Sequence, residues 1–265
     1  MIEFINVTKQ LGKTMVLDGM NLKVNRGEIL VIIGRSGTGK SVTLKLMIGL
    51  LKPDSGKLII DNVDTTNMTG TGLSKIREKF GLLFQSGALL NSMTVAENVA
   101  LPLKEHEKSM SVEDIDKKVR ERLALVEMTE AYEKYPVELS GGMKKRAGLA
   151  RAISRNPEII LYDEPTSGLD PVMANTINDL IVNTNKRLKA TSVVVTHDME
   201  SAFRIADRIA MLYHGRIIQI GPPPEFKNPT NPIVRQFVFG ETAGPMNQFS
   251  DDGTRKIKKT ERMKP

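Results

Sequence analysis

The stretch GRSGTGKS, residues 34–41, sets three glycines, a lysine and a serine in the order G-x-x-x-x-G-K-[ST]. Gly34, Gly37 and Gly39 let a loop wrap closely, so that its successive amides point inward at a phosphate group. Lys40 then reaches the β- and γ-phosphates of a nucleotide, and Ser41 is a ligand for Mg²⁺. Arg35, Ser36, Thr38 and Val42 complete the candidate nucleotide-binding set. A glycine-rich turn can match this pattern by chance. Here the apolar run EILVII precedes it and a helical pattern follows, which is the context a phosphate loop requires.

Three further stretches end apolar runs in polar side chains. IILYDEP, residues 159–165, closes on two carboxylates. Asp163 at the end of a strand is placed to hold Mg²⁺ through water. Glu164, one residue on and pointing elsewhere, can orient or deprotonate an attacking water. VVVTHD puts His197 at the end of another strand, within reach of the γ-phosphate edge. LLFQ puts Gln85 in a similar position, where a neutral amide could bind Mg²⁺ or water without competing as a base. Singly, each is an ordinary structural residue; together with the phosphate loop they make a hydrolytic site.

ELSGGMKKRAGLARA, residues 138–152, presents a second anion site: Ser140, Gly141 and Gly142 open a basic helical run and offer bare amides and a hydroxyl. One ATP needs one cradle, and residues 34–41 supply it. If two chains pair head to tail, the 140–142 helix start of each caps the γ-phosphate held by the other. A helix start contributes about 0.3–1 kcal/mol toward an exposed anion and up to about 2 kcal/mol when partly buried. Several amides and a hydroxyl in a water-excluded interface should exceed that.

The elements that must position these residues follow from the pattern. EFINVTKQL, MVLDGMNLKV, EILVIIG, KLIIDNV and FGLLFQ read as strands, and GKSVTLKLMIGLL as a helix. TVAENVALPLKEH begins with a capping box, Thr94 and Glu97, and opens a helical insert that continues in SVEDIDKKVRERLALVEM. Helices over 140–156, 171–189 and 198–206 then alternate with strands in EIILYDE and TSVVVTHD, and DRIAMLYHGRIIQIG reads as a hairpin. That alternation predicts an α/β fold with a mainly parallel, covered sheet. PPPEFKNPTNP is expected to end the regular region, with little order beyond Gly240.

The 265 residues suffice for one large domain or two small ones, and no apolar run nears the roughly 18–20 residues that cross a bilayer. The start of the chain lacks a signal-peptide pattern, and the absence of cysteine fits a reducing compartment, so a cytosolic location is expected. The net charge of +7 is raised by TRKIKKTERMK, residues 254–264, read as a solvated tail. With 5% aromatic residues and no basic-aromatic surface, nucleic acid is disfavoured as the main partner.

In order and spacing, the phosphate loop, Gln85, LSGGM, LYDEP, SGLD and His197 resemble the nucleotide-binding subunit of an ABC transporter, over roughly residues 1–240. The resemblance implies a P-loop ATPase of two lobes. An α/β core and an antiparallel β lobe would bind ATP, and a helical subdomain near 86–156 would bear LSGGM. It implies that two such subunits form a homodimer, that Asp170 contacts the partner's site, and that Gln85 leads into the surface meeting a multispanning permease. LLFQSGALLNSMTVAENVALPLKEH, LSGGMKKRAGLARAI and NPIVRQFVFGETAGP look most like the Mla/Mce-type ATPases of lipid traffic in diderm envelopes. That resemblance implies an MCE-domain lipid-binding protein, a STAS-domain accessory partner, and a place on the cytoplasmic face of the bacterial inner membrane. Residues 241–265 would be a basic extension, poorly ordered or partner-binding.

Two positions depart from the family pattern. Most relatives carry near position 11 an aromatic ring that stacks on adenine, where this chain has Leu11; Met143 replaces an amide with a thioether. The same engine serving another cargo, as in solute import or lipoprotein release, stays open. A soluble ATPase acting on ribosomes or DNA fits poorly, since the chain has one cassette and no long coiled-coil insert.

Overall fold

The computed structural model describes residues 1–247. Strands β1 (Ile2–Leu11) and β2 (Thr14–Val24) form an antiparallel pair, and β3 (Ile29–Ile33) leads through the glycine loop into α1 (Lys40–Met47). Then come β4 (Ser55–Ile60), β5 (Val63–Asp64), α2 (Gly70–Arg77) and β6 (Phe80–Leu83). The helical insert holds α3 (Val95–His106) and α4 (Val112–Leu125), and α5 (Gly141–Ala152) returns the chain to the sheet. It continues as β7 (Ile159–Asp163), α6 (Pro171–Leu188), β8 (Thr191–Thr196), α7 (Met199–Ile205), β9 (Arg208–Tyr213) and β10 (Arg216–Gly221). Two short helices follow, α8 (Pro223–Lys227) and α9 (Pro232–Phe239).

The strands form two sheets. An antiparallel one has the order β2-β1-β4-β5, and a mixed one the order β10-β9-β3-β8-β7-β6. In the second, β6, β7, β8, β3 and β9 run parallel and only β10 is antiparallel. The alternation of side chains along its strands divides the core in two. Ile29, Val31, Ile33, Ile160, Tyr162 and Val194 face a layer that includes the helical insert. Leu30, Ile32, Ile159, Leu161, Val193 and Val195 face the antiparallel sheet and α1. Burial on both faces is why β3 and β8 read as unbroken apolar runs rather than alternating ones.

The α/β reading with its β lobe and helical insert holds, as does the capping box. Thr94 Oγ1 accepts from the Glu97 amide at 3.2 Å, and Glu97 Oε2 accepts from the Thr94 amide at 2.8 Å. One element went unread and one expectation needs correction. The 70–77 segment, with two glycines, carries no clear helical signal; its helix is held by tertiary contacts, Ile76 being buried and Arg77 donating to the carbonyls of Ile48 (3.0 Å) and Gly49 (2.9 Å). The regular region does not end in PPPEFKNPTNP. Prolines open both α8 and α9, where the missing amide hydrogen costs nothing, and Phe226 and Val234 are buried in the core. Past Gly240 the chain folds back, with Met246 buried and its amide donating to Gln236 Oε1 at 2.8 Å. The basic tail, residues 254–264, lies outside the described residues.

Candidate active site

The carboxyl ends of the parallel strands gather the predicted residues. In the order β3-β8-β7-β6, these ends carry in turn the glycine loop, His197, Asp163 with Glu164, and Gln85. Ligand sites of open α/β sheets lie at this edge. A cleft of about 620 Å³ opens there, lined by Arg35, Ser36, Gly37, Gly39, Lys40, Ser41, Val42, Gln85, Glu164 and His197. Leu11, Val16 and Phe237 complete its wall.

The loop is built to leave that space open. At Gly39 the backbone has φ +104, and a Cβ there would lie 2.9 Å from Val16 Cγ1, so only glycine fits. Gly37, with φ +80, has nothing within 4 Å of where its Cβ would stand. Lys40 is buried, and its Nζ donates to the carbonyls of Gly34 at 2.8 Å and Arg35 at 3.1 Å. Thr38 Oγ1 donates to Arg35 O at 2.9 Å; Thr38 faces a neighbouring cavity beside Tyr213 and Met246 rather than the cleft.

Ser41 Oγ donates to Asp163 Oδ1 at 2.9 Å, bringing a helix start to a strand end. Burial pushes the Asp163 carboxyl above the usual carboxylate range, and the Ser41 hydroxyl partly offsets this. Glu164 sits in the left-handed region at φ +48, which turns its side chain away from that of Asp163. Its Oε1 lies 3.4 Å from Lys40 Nζ, and its Oε2 lies 2.9 Å from His197 Nδ1. Thr196 Oγ1 and the His197 amide also donate to Oε2, at 3.3 and 3.4 Å. Gln85 Nε2 donates to Ser167 Oγ at 3.2 Å.

The residues fit a nucleoside triphosphate with Mg²⁺. A loop of open backbone carries a buried ammonium, and a hydroxyl and a carboxylate stand 2.9 Å apart beside it. Among the described residues no three His, Asp or Glu side chains cluster to hold a metal by themselves. Mg²⁺ takes one or two protein ligands and shares the rest with phosphate and water, which the pair of Ser41 and Asp163 fits.

Ser140, Gly141, Gly142 and Asp170 do not line this cleft. Ser140 caps α5, its Oγ accepting from the Met143 amide at 3.3 Å, which leaves its own O–H free to donate. Asp170 caps α6, with Oδ1 accepting from the amides of Val172 and Met173 at 3.0 Å each. The sequence reading missed Val16 and Phe237. The signal for Phe237 was present, since Asn231, Pro232 and Gly240 are the cap, first residue and stop of a short helix.

Known proteins resemble the chain in sequence and in fold. The sequence profile of the ABC transporter family matches residues 17–167. The chain is 43% identical over 257 residues to the probable ribonucleotide transport ATP-binding protein mkl of Mycobacterium tuberculosis (strain ATCC 25618 / H37Rv), covering 96% of this chain and 71% of that one. It is 42% identical over 228 residues to the methionine import ATP-binding protein MetN of Geobacillus kaustophilus, covering 86% and 66%. Among solved structures, the dimeric bacterial ABC transporter cassette MJ0796 superposes with a TM-score of 0.78 at 37% identity, over 84% of this chain and 99% of that one. The same cassette, dimeric and bound to ADP and Pi after hydrolysis, gives 0.77 at 36%, again over 84% and 99%. With the phosphate loop, Glu164 and His197 meeting in one cleft, and Asp163 bonded to Ser41 beside it, the chain belongs to the ABC transporter family, as an ATP-binding subunit that hydrolyses ATP.

Proposed function

We propose that the chain is the ATPase of a lipid-moving ABC complex, working as a head-to-tail homodimer around two ATP·Mg²⁺. The meeting of Lys40, Glu164 and His197 on one wall carries the hydrolytic part of this reading. The loop amides and Lys40 would hold the phosphates, and Ser41, Asp163 and Gln85 would hold Mg²⁺. Bound Mg²⁺ neutralises charge on the phosphate oxygens. Glu164 takes the proton of the attacking water, while His197 holds that carboxylate in place and faces the γ-phosphate. A phosphate engaging Lys40 competes with Glu164 for the ammonium and so frees the carboxylate for water. Leu11, Val16 and Phe237 give the base an apolar wall. Ser140, Gly141 and Asp170, exposed off the cleft, together with the buried Gly142, serve the nucleotide held by the partner copy.

A second groove of about 620 Å³ between α2, β6, α3 and α5 supports permease docking. Phe84 lines it and Gln85, the next residue, lines the nucleotide cleft, so one short segment touches both. Among the described residues no helix is long and apolar enough to cross a membrane. In this reading the subunit is held at the cytoplasmic face of the inner membrane by its permease. The lipid cargo, the MCE-domain protein and a STAS-domain partner rest on the resemblance of residues 82–106 and LSGGM to the Mla/Mce branch. Solute import is the second reading, favoured by the similarity to a methionine importer.

Affinity purification of the tagged subunit from gently extracted membranes, with mass spectrometry of proteins and lipids, tests this. A permease with an MCE-domain protein and phospholipid is the expected result. A permease with a soluble solute receptor overturns the lipid reading alone, and ribosomes or DNA without a membrane partner overturn transport itself.

A further inference from the structure

Lys145 lies within α5, and its side chain is buried. A buried cation ordinarily takes a carboxylate partner. Here Nζ instead donates to two backbone carbonyls, Ser167 O at 2.6 Å and Glu164 O at 3.3 Å. These carbonyls bracket a tight turn in which the Ser167 amide also donates to Glu164 O, at 3.2 Å. The turn contains the left-handed Glu164, and a non-glycine residue persists in that region only where its surroundings over-determine it. Ser167, held by Lys145 through its carbonyl, accepts from Gln85 through its hydroxyl.

We propose that Lys145 is a positioning residue for ATP hydrolysis: from α5 it clamps the 164–167 turn and so keeps the Glu164 carboxylate aimed into the nucleotide cleft. This rests on the reading of Glu164 as the group that activates water. Lys145 does not line the nucleotide cleft; it acts through the backbone of Glu164. It also gives the helix that begins at Ser140 a direct hold on the turn, so that displacement of α5 is felt at Glu164. Burial pulls the Lys145 ammonium below its usual pKa, opposed by the charge of Glu164, in line with a cation held by carbonyls in a dry setting.

The test compares K145M and K145R in the purified full-length subunit, alone and in an E164Q background. Kinetics of ATP hydrolysis are read beside nucleotide binding by a fluorescent ATP analogue and thermal unfolding. Misplacing a reacting group by about 1 Å costs roughly 10²-fold in rate. K145M is expected to lower kcat by about 10- to 100-fold with KM and nucleotide Kd within about twofold of wild type. K145R, which can donate to both carbonyls, should recover most of that loss. In the E164Q background K145M should add nothing, because the group it positions is already gone. Wild-type kcat in K145M, a loss confined to KM, or a full further loss on top of E164Q overturns the proposal. Should K145M fail to fold, K145A, whose side chain also has no donor, takes its place, and unchanged kcat there also overturns it. Normal turnover by E164Q alone would sink the underlying reading of Glu164 instead.

Discussion

Glu164 Oε2 lies 2.9 Å from His197 Nδ1, joining the turn after β7 to the end of the neighbouring strand β8. The carboxylate is almost buried, with 12% of its side chain exposed, whereas the imidazole is 62% exposed. A half-open ring thus holds a sheltered carboxylate on the wall that carries Lys40. Replacing Glu164 by glutamine keeps the shape and removes the base. E164Q is expected to lower ATP turnover by about 10²–10⁴-fold while leaving nucleotide binding intact. Steady-state hydrolysis and equilibrium binding of ATP on the same preparation check this, and normal turnover would remove Glu164 from its role.

Ser140 keeps its hydroxyl hydrogen free while its oxygen caps α5. S140R sets a bulky cation where the partner's γ-phosphate is to be received and also removes a cap worth about 1 kcal/mol. ATP hydrolysis should be lost, with monomer affinity for ATP unchanged because Ser140 is off the cleft of its own chain. A fully active S140R subunit would sink the shared-site arrangement.

Phe237 and Leu11 line the same cleft. If α9 supplies the apolar surface that position 11 lacks as a ring, F237A weakens ATP binding by about fivefold, near the low end of the roughly 1–3 kcal/mol that ring stacking contributes per base. L11Y should tighten binding and blunt the effect of F237A. Because Phe237 also packs on the core, the thermal midpoint is measured beside Kd. An unchanged Kd in F237A assigns the ring to packing alone.

Asp61 ties the antiparallel lobe to the main sheet through Lys79 Nζ at 2.5 Å and through Arg26. The hydrogen bond from Lys79 holds the Asp61 carboxyl below the usual range, opposed by partial burial. A depressed carboxylate stabilises the fold above its unfolded pKa of about 3.9, and that stabilisation is lost as pH falls through the lower folded value. D61N should therefore cost under about 1 kcal/mol near neutrality and flatten the loss of stability below about pH 4. Thermal midpoints across an acid series read this directly; identical acid slopes for the two proteins would count against it.

Much of this site is legible in the sequence, because its chemistry is local. The loop 34–41 is a contiguous run whose glycines, lysine and serine each have a backbone or charge reason to be there, and the strands before Asp163 and His197 are apolar runs that must lie in a covered sheet. Asn231, Pro232 and Gly240 marked α9 as plainly as Thr94 and Glu97 marked α3, yet the proline-rich approach suggested an end to regular structure.

The residue types and their order by themselves determined the glycine loop that opens a helix, the carboxylates that end an apolar strand and the serine-capped helix start at Ser140. Only the tertiary structure decided that Phe237 reaches the nucleotide cleft and that Lys145 grips the turn of Glu164. It also decided that Glu164 divides its two oxygens between Lys40 and His197. The reason is range. Loop and cap chemistry acts between neighbours in sequence, whereas these contacts join segments whose meeting depends on strand order and helix packing, which no local pattern specifies.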